Sequence, residues 1–274
     1  MRHFREMLEK KWSHSRFVCV GLDSEMSRIP KHIQDKHGVS MNRSPDLTIP
    51  SFNRQIVEAT HDLVCAYKPN SAFYEAHGTN GWIALEQTVR YIHDIAPDVP
   101  VILDAKHADI GNTNNSYVEM AFGYLRVDAI TVHPYLGAEA LQPFLARADK
   151  GVFVLCRTSN PGAGEFQDIQ IQNQFLYQIV AEHVSQKWNG NSNCGLVVGA
   201  TYPNEIRDVR RLVGGMPLLI PGVGAQGGDL ERTVRAGKDS CRTGMIIKSS
   251  RGIIFADDPR GETEKLCNAI NDYR

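Results

Sequence analysis

Pro100-Val101-Ile102-Leu103-Asp104-Ala105-Lys106-His107-Ala108-Asp109-Ile110 opens as an unbroken apolar run and ends in charge. A run apolar on successive residues is the mark of a strand covered on both faces, as in a parallel sheet. The same unit recurs on either side. Phe17–Leu22 stops at Asp23, Leu63–Tyr67 at Lys68, Ala129–Val132 at His133, and Val152–Leu155 shortly before Arg157, Thr158 and Ser159; Gly195–Val198, Pro217–Ile220 and Met245–Ile247 bring the set to eight. Helix-like spacing fills the intervals, for example Ile83, Val89 and Ile92, or Phe175, Ile179, Val180 and Val184. Eight strand-helix units in 274 residues average about 34 each, which predicts an α/β fold, a single-domain (β/α)8 TIM barrel over residues 1–274 with a short N-terminal helix.

Two stretches depart from this rhythm and are expected as long rim loops, near 24–50 and 158–166. Ser24–Pro50 carries Pro30, Gly38, Pro45 and Pro50, and Asn160–Phe166 carries Pro161, Gly162 and Gly164. Loops that follow barrel strands emerge at the C-terminal rim, where barrel active sites are built.

Composition excludes several classes. There are 30 lysines and arginines against 31 aspartates and glutamates, so the chain lacks the positive excess that a nucleic-acid or anionic membrane surface requires. No stretch approaches 18 apolar residues, and Met1–Trp12 has no apolar core of a secretory signal. The six cysteines, Cys19, Cys65, Cys156, Cys194, Cys241 and Cys267, form no C-x-x-C pair and are read as buried free thiols of a cytoplasmic protein.

The charges at the strand ends are the candidate site, because a lone charge in a strand interior is costly and must be paired or bind something. In a regular strand Asp104 and Lys106 project to one side. Schiff-base lysines need a lowered pKa, whereas carboxylate neighbours keep an ammonium protonated, so Lys106 reads as a general acid. Pro221-Gly222-Val223-Gly224-Ala225-Gln226-Gly227-Gly228 follows the seventh run, and Ser249-Ser250-Arg251-Gly252 follows the eighth. Loops seven and eight of such barrels commonly hold a phosphate by backbone N–H groups and a cation, here Arg251. His133 reads as structural, the other histidines lack metal-ligand spacing, and Trp12, Trp82 and Trp188 read as packing.

The combination of D-x-K-x-x-D-I at Asp104–Ile110, V-G-L-D ending in Asp23, Y-K-P-N containing Lys68, and P-G-V-G-A-Q-G-G resembles the orotidine 5′-phosphate decarboxylase family, and within it the bacterial-type subfamily 2, from about Phe17 to Ile254. The resemblance implies cofactor-free, metal-free decarboxylation of orotidine 5′-phosphate to uridine 5′-phosphate in de novo pyrimidine biosynthesis. Lys106 would protonate C6, Asp104 would face the substrate carboxylate, Lys68 would bridge Asp104 and the ribose, and Asp23 would hold a ribose hydroxyl. Asp109, Ile110 and Thr113 would reach into the neighbouring subunit's site in a homodimer. Thr158 or Ser159 would read the pyrimidine, Gln226 and Arg251 would hold the phosphate, and Pro221 would open a closing loop. One departure stands out: His107-Ala108 occupies the place of the subfamily's usual Arg-Gly. Two alternatives share the features so far: a Mg-dependent sugar-phosphate decarboxylase or synthase of the same barrel type, and a non-catalytic nucleotide-binding barrel. The first is disfavoured by Lys68, which would repel a metal, and the second by like charges aimed at the ligand.

Overall fold

A computed structural model describes residues 2–34, 44–224 and 228–274, and Asp35 by its backbone. All eight apolar runs are strands: β1 (Val18–Leu22), β2 (Val64–Pro69), β3 (Ile102–His107), β4 (Ala129–Val132), β5 (Gly151–Arg157), β6 (Cys194–Val198), β7 (Leu218–Pro221) and β8 (Met245–Ser249). Their pairing is parallel throughout, in the order β2-β1-β8-β7-β6-β5-β4-β3. Two parallel bridges, Tyr67 with Val101 and Asn70 with Asp104, join β2 to β3 and close the ring. There the Tyr67 N–H donates to the Pro100 carbonyl at 3.0 Å and the Ser71 N–H to the Asp104 carbonyl at 3.2 Å. This is the (β/α)8 barrel that the sequence predicts.

Several strands outrun their apolar segments, so that Lys68, Asp104, Lys106, Arg157 and Lys248 lie inside strands rather than after them. Counter-charges make this tolerable: Asp104 pairs with Lys68 of the neighbouring strand and Lys106 of its own, Lys248 with Asp23, and Arg157 with Asp168. At the opposite end the barrel is filled by rings. Phe153 of β5 meets Phe4 of the N-terminal helix (Phe4–Ser13) edge-on, with centroids 5.6 Å apart. Gly195 and Gly151 make room: a Cβ on either would fall 2.5 Å from the ring of Phe153 or Phe4 respectively. Trp12 completes the seal by donating its indole N–H to the Met245 carbonyl at 2.9 Å.

The helices correct some details. In the helix Gly78–Ile95 the buried face is Ala84, Leu85, Val89 and Ile92, with Ile83 only half-buried. After β5, Tyr177, Ala181 and Val184 face the sheet in place of Ile179 and Val180, because steps of four and three residues keep them on one side of the helix. The rim stretch expected over 24–50 is shorter than its prolines suggest: Pro45 opens the helix Pro45–Thr60 at its first turn, a position where its missing N–H removes no helical bond. Residues 36–43 of that stretch lie outside the described residues. The stretch 158–166 folds into two short turns, Pro161–Ala163 and Gly164–Gln167, followed by a hairpin pairing Gln170–Ile171 with Gln174–Phe175. Five of the six cysteines are buried as expected, whereas Cys241, in the turn before β8 and outside any apolar run, is exposed. Among the described residues no helix is long and apolar enough to cross a membrane.

The bottom of the barrel carries a fully buried acid. Asp128, just before β4, accepts from Arg2 at 2.8 and 2.7 Å and from the Val101 N–H at 2.9 Å. Burial alone would raise its pKa, but the Arg2 and His93 partners and the Val101 N–H reverse this and draw it down to about 2. A folded-state pKa below the unfolded value stabilises above about pH 4, and the stabilisation is lost as pH falls towards 2, a contribution of about 2 kcal/mol. Urea midpoints measured across that window should therefore fall more steeply with acid in the wild type than in Asp128→Asn.

Candidate active site

The charged end of β3 does not follow the regular pleat. Its register against β4 shifts between Leu103 and His107, and Lys106 takes a left-handed backbone conformation, φ +52°. That is an uncommon conformation for a side-chain-bearing residue and calls for outside support. Thr131 of β4 provides it. The Lys106 N–H donates to the Thr131 hydroxyl at 2.9 Å, and that hydroxyl donates to Asp104 Oδ1 at 3.0 Å. Asp104 and Lys106 do meet, Nζ to Oδ1 at 2.6 Å, through this kink rather than through simple alternation.

Asp104 Oδ2 takes a second ammonium, that of Lys68, whose side chain is only 2 % exposed. Burial pushes the Asp104 pKa up, and the charges of Lys68 and Lys106 outweigh it, holding the carboxyl well below its usual range. Burial likewise pulls Lys68 down, while Asp104 and Asp23 more than compensate and raise it. Asp23, just past β1, is ionised for the same reason: Lys68 and Lys248 overcome its desolvation. Lys248 Nζ donates to Asp23 Oδ2 at 2.6 Å. The described rim thus carries a chain of alternating sign, Lys248, Asp23, Lys68, Asp104 and Lys106. Lys248 was not among the expected site residues, although it is the first charge after the eighth apolar run and the rule that picked out Asp23 and Lys68 would have picked it.

Beside Asp23 opens a cleft of about 320 Å³, bordered by Phe73, Pro221, Lys248, Ser250 and Arg251 among others. Arg251 is exposed at the start of a single helical turn, Arg251–Ile254. Pro221 ends β7, and Gly222 and Gly224 follow with φ of +101° and +79°, the left-handed conformations that favour glycine. Gln226 lies outside the described residues. On β5, Arg157 is not free: its fork grips Asp168 at 2.8 and 2.9 Å, and its guanidinium lies 3.8 Å from the Tyr202 ring centroid. The Thr158 hydroxyl is engaged too, with Asn160 at 2.7 Å and with Gln167. Ser159 packs its backbone against Gly199, where a Cβ would fall 2.6 Å from it.

Asp109, Ile110 and Thr113 are not drawn into this cluster. Asp109 is in no ion pair among the described residues, Ile110 is 63 % exposed, and Thr113 is exposed on the helix Gly111–Val118. Buried Asn114 clamps the segment: its amide donates to the carbonyls of Asp109 and Ala140, both at 2.6 Å, and its oxygen accepts from the Asp109 N–H at 2.9 Å. The His107-Ala108 departure is absorbed locally. His107 stacks on Tyr117 with ring centroids 4.3 Å apart, and burial lowers its pKa. The left-handed residue is Lys106, not Ala108, so no glycine is needed there. His133 accepts the Tyr135 N–H at 3.3 Å, in keeping with a structural role.

The two lysines on Asp104 differ in depth, and stability should register it. Asp104→Asn leaves the Lys68 ammonium buried without its nearest counter-charge and should cost about 3 kcal/mol or more. Lys106, 47 % exposed, leaves no buried charge orphaned, so Lys106→Met should stay within about 1 kcal/mol of wild type in urea denaturation.

Comparison with known proteins gives the family. The model of the Orotidine 5′-phosphate decarboxylase / HUMPS family matches residues 16–266. An orotidine 5′-phosphate decarboxylase of Cupriavidus metallidurans is 50 % identical over 92 % of this chain and 89 % of its own. Among solved structures, the Leishmania donovani OMP decarboxylase superposes with a TM-score of 0.87 at 36 % identity, covering 99 % of this chain and 98 % of that one. Leishmania donovani UMP synthase gives a TM-score of 0.89 at 38 % identity over the whole of this chain, which spans 57 % of that longer protein. By barrel, motif and overall similarity, the chain belongs to the orotidine 5′-phosphate decarboxylase / HUMPS family.

Proposed function

We propose that this chain removes CO2 from C6 of orotidine 5′-phosphate to give uridine 5′-phosphate, with no cofactor. The observation that carries the reading is the Asp104 carboxylate, held ionised at the barrel mouth between Lys68 and the half-exposed Lys106 ammonium. Cleavage of the bond from C6 to the carboxylate leaves an electron pair on C6. Lys106 donates one ammonium proton to that carbon and becomes an amine, which solvent reprotonates. An ammonium fixed in place before charge develops needs no reorganisation during the reaction, the usual source of large electrostatic effects.

The remaining assignments follow from what each side chain leaves free. Asp23 Oδ1 is buried with no hydrogen-bond partner among the described residues and is the acceptor for a ribose hydroxyl, with Lys68 alongside. Thr158 is occupied by Asn160 and Gln167, so Ser159 is the hydroxyl that reads the pyrimidine edge. Arg251 and Gln226 hold the phosphate, and Pro221 begins the loop that closes over it; binding energy gathered there can drive closure on the reacting ring. Asp109, Ile110 and Thr113 face outward on a segment clamped by Asn114, as residues serving a second copy's site would, which supports a homodimer. Cysteines free of disulfides support a cytoplasmic enzyme. The magnesium-dependent alternative would need Asp104 oxygens that are both engaged by ammonium groups.

Turnover is followed by the loss of orotate absorbance. Lys106→Ala should lower kcat by at least about 100-fold, and survival within about tenfold would sink the proton-donor assignment. Turnover by the wild type should persist in EDTA. Mixing inactive Lys106→Ala and Asp109→Ala proteins should restore about a quarter of wild-type activity, because half of randomly formed dimers then carry one intact shared site of two. No recovery on mixing would place Asp109 in its own subunit's site.

A further inference from the structure

Lys248 and Gly21 form a device that the proposed chemistry does not use. In the β1–β8 register Lys248 lies opposite Cys19, four residues below Asp23. Cys19 and Gly21 share one face of β1 by strand alternation, and Asp23 follows just past its end. To reach Asp23 the lysine stem has to run along that face, and Gly21 is the position it crosses. A Cβ at Gly21 would fall 2.3 Å from Lys248 Cε and 2.9 Å from its Nζ. The passage is walled by Ser250, whose hydroxyl donates to the Gly21 carbonyl at 2.9 Å. Lys248 is therefore threaded, largely buried, through a gap that only glycine leaves, and its ammonium ends on one oxygen of Asp23, Oδ2, at 2.6 Å. Among the described residues the other oxygen, Oδ1, is buried and has no hydrogen-bond partner. An ionised carboxylate free to turn would offer either oxygen; one pinned on a single side offers a fixed acceptor.

We propose that Lys248 is a positioning residue: it anchors Asp23 Oδ2 so that Oδ1 is presented to a ribose hydroxyl of the nucleotide, and it thereby sets the enzyme's discrimination for a hydroxylated sugar. The inference rests on the reading of Asp23 as the ribose acceptor. A site that relies on a buried polar acceptor rejects the analogue lacking the matching hydroxyl, because the acceptor is then left unpaired. Lys248 acts on that acceptor by direct contact, since the one ion pair of its ammonium among the described residues is with Asp23.

The test compares kcat/KM for orotidine 5′-phosphate and for its 2′-deoxy and 3′-deoxy analogues. The analogue on which Asp23→Asn does least harm identifies the hydroxyl that Asp23 accepts. Lys248→Met keeps the length and the packing over Gly21 while removing the charge. It should lower kcat/KM on orotidine 5′-phosphate by about tenfold or more and on the identified analogue by less than about threefold. The Lys248→Met/Asp23→Asn double variant should match Asp23→Asn within about twofold, since both changes disable one acceptor. Gly21→Ala, which retains both charged groups but blocks the passage, should reproduce the loss of discrimination and serves if Lys248→Met does not fold. Equal losses on both substrates, no loss on either, or multiplied losses in the double variant would overturn the positioning role while leaving the decarboxylase reading intact. Absence of any wild-type turnover would overturn both.

Discussion

A carboxylate shared by two ammonium groups is the interaction on which the rest of this structure depends. Removing Asp104 from water unpaired would cost several kcal/mol, so the strand that carries it can end only where cations reach it from both sides. Lys68 arrives from β2, and the bridges joining β2 to β3 lie at the same level, Asn70 opposite Asp104. Lys106 arrives from β3 itself, but only because the strand kinks at that residue and Thr131 holds the kink. Ring closure, the irregular register of β3 and the placement of the charged cluster are thus one arrangement.

The fold was legible because burial on both faces writes itself into sequence as an unbroken apolar run, and the observed strands coincide with such runs to within a few residues at each end. The charges after the runs located Asp23, Lys68, Asp104 and Lys106, since only pairing permits charge at the depth of the first three. Features that depend on a second segment were not legible. The partner of Arg157 is Asp168, eleven residues on in a short irregular turn, so an apparent rim cation turned out to be a clamp. The Thr158 hydroxyl is engaged by Asn160 and Gln167, which the sequence of its own run does not show. Lys248 could have been read from the end of its own run, but its target could not, because the route to Asp23 is set by a missing Cβ on another strand. The left-handed turn at Lys106 leaves no sequence signature, as the residue there is a lysine and not a glycine.

The two lysines on Asp104 show how depth divides labour between identical side chains. Lys68 sits among two carboxylates with almost no exposure, and both hold its proton in place. In the proposed reaction its part is therefore to fix the charges around it. Lys106 contacts one of them and opens towards the rim. Its backbone is held in a conformation that few residues adopt, a strain that persists only where surrounding structure supports it and that often marks residues whose placement matters. In the proposed reaction the proton has to leave for carbon, an acceptor that exists only once the bond to CO2 has broken. The donor must then be near the substrate, charged beforehand and not enclosed by carboxylates that would retain its proton. Of the ammonium groups described at this rim, Lys68 is enclosed and Lys248 is committed to Asp23, which leaves Lys106 as the donor in the proposed reaction.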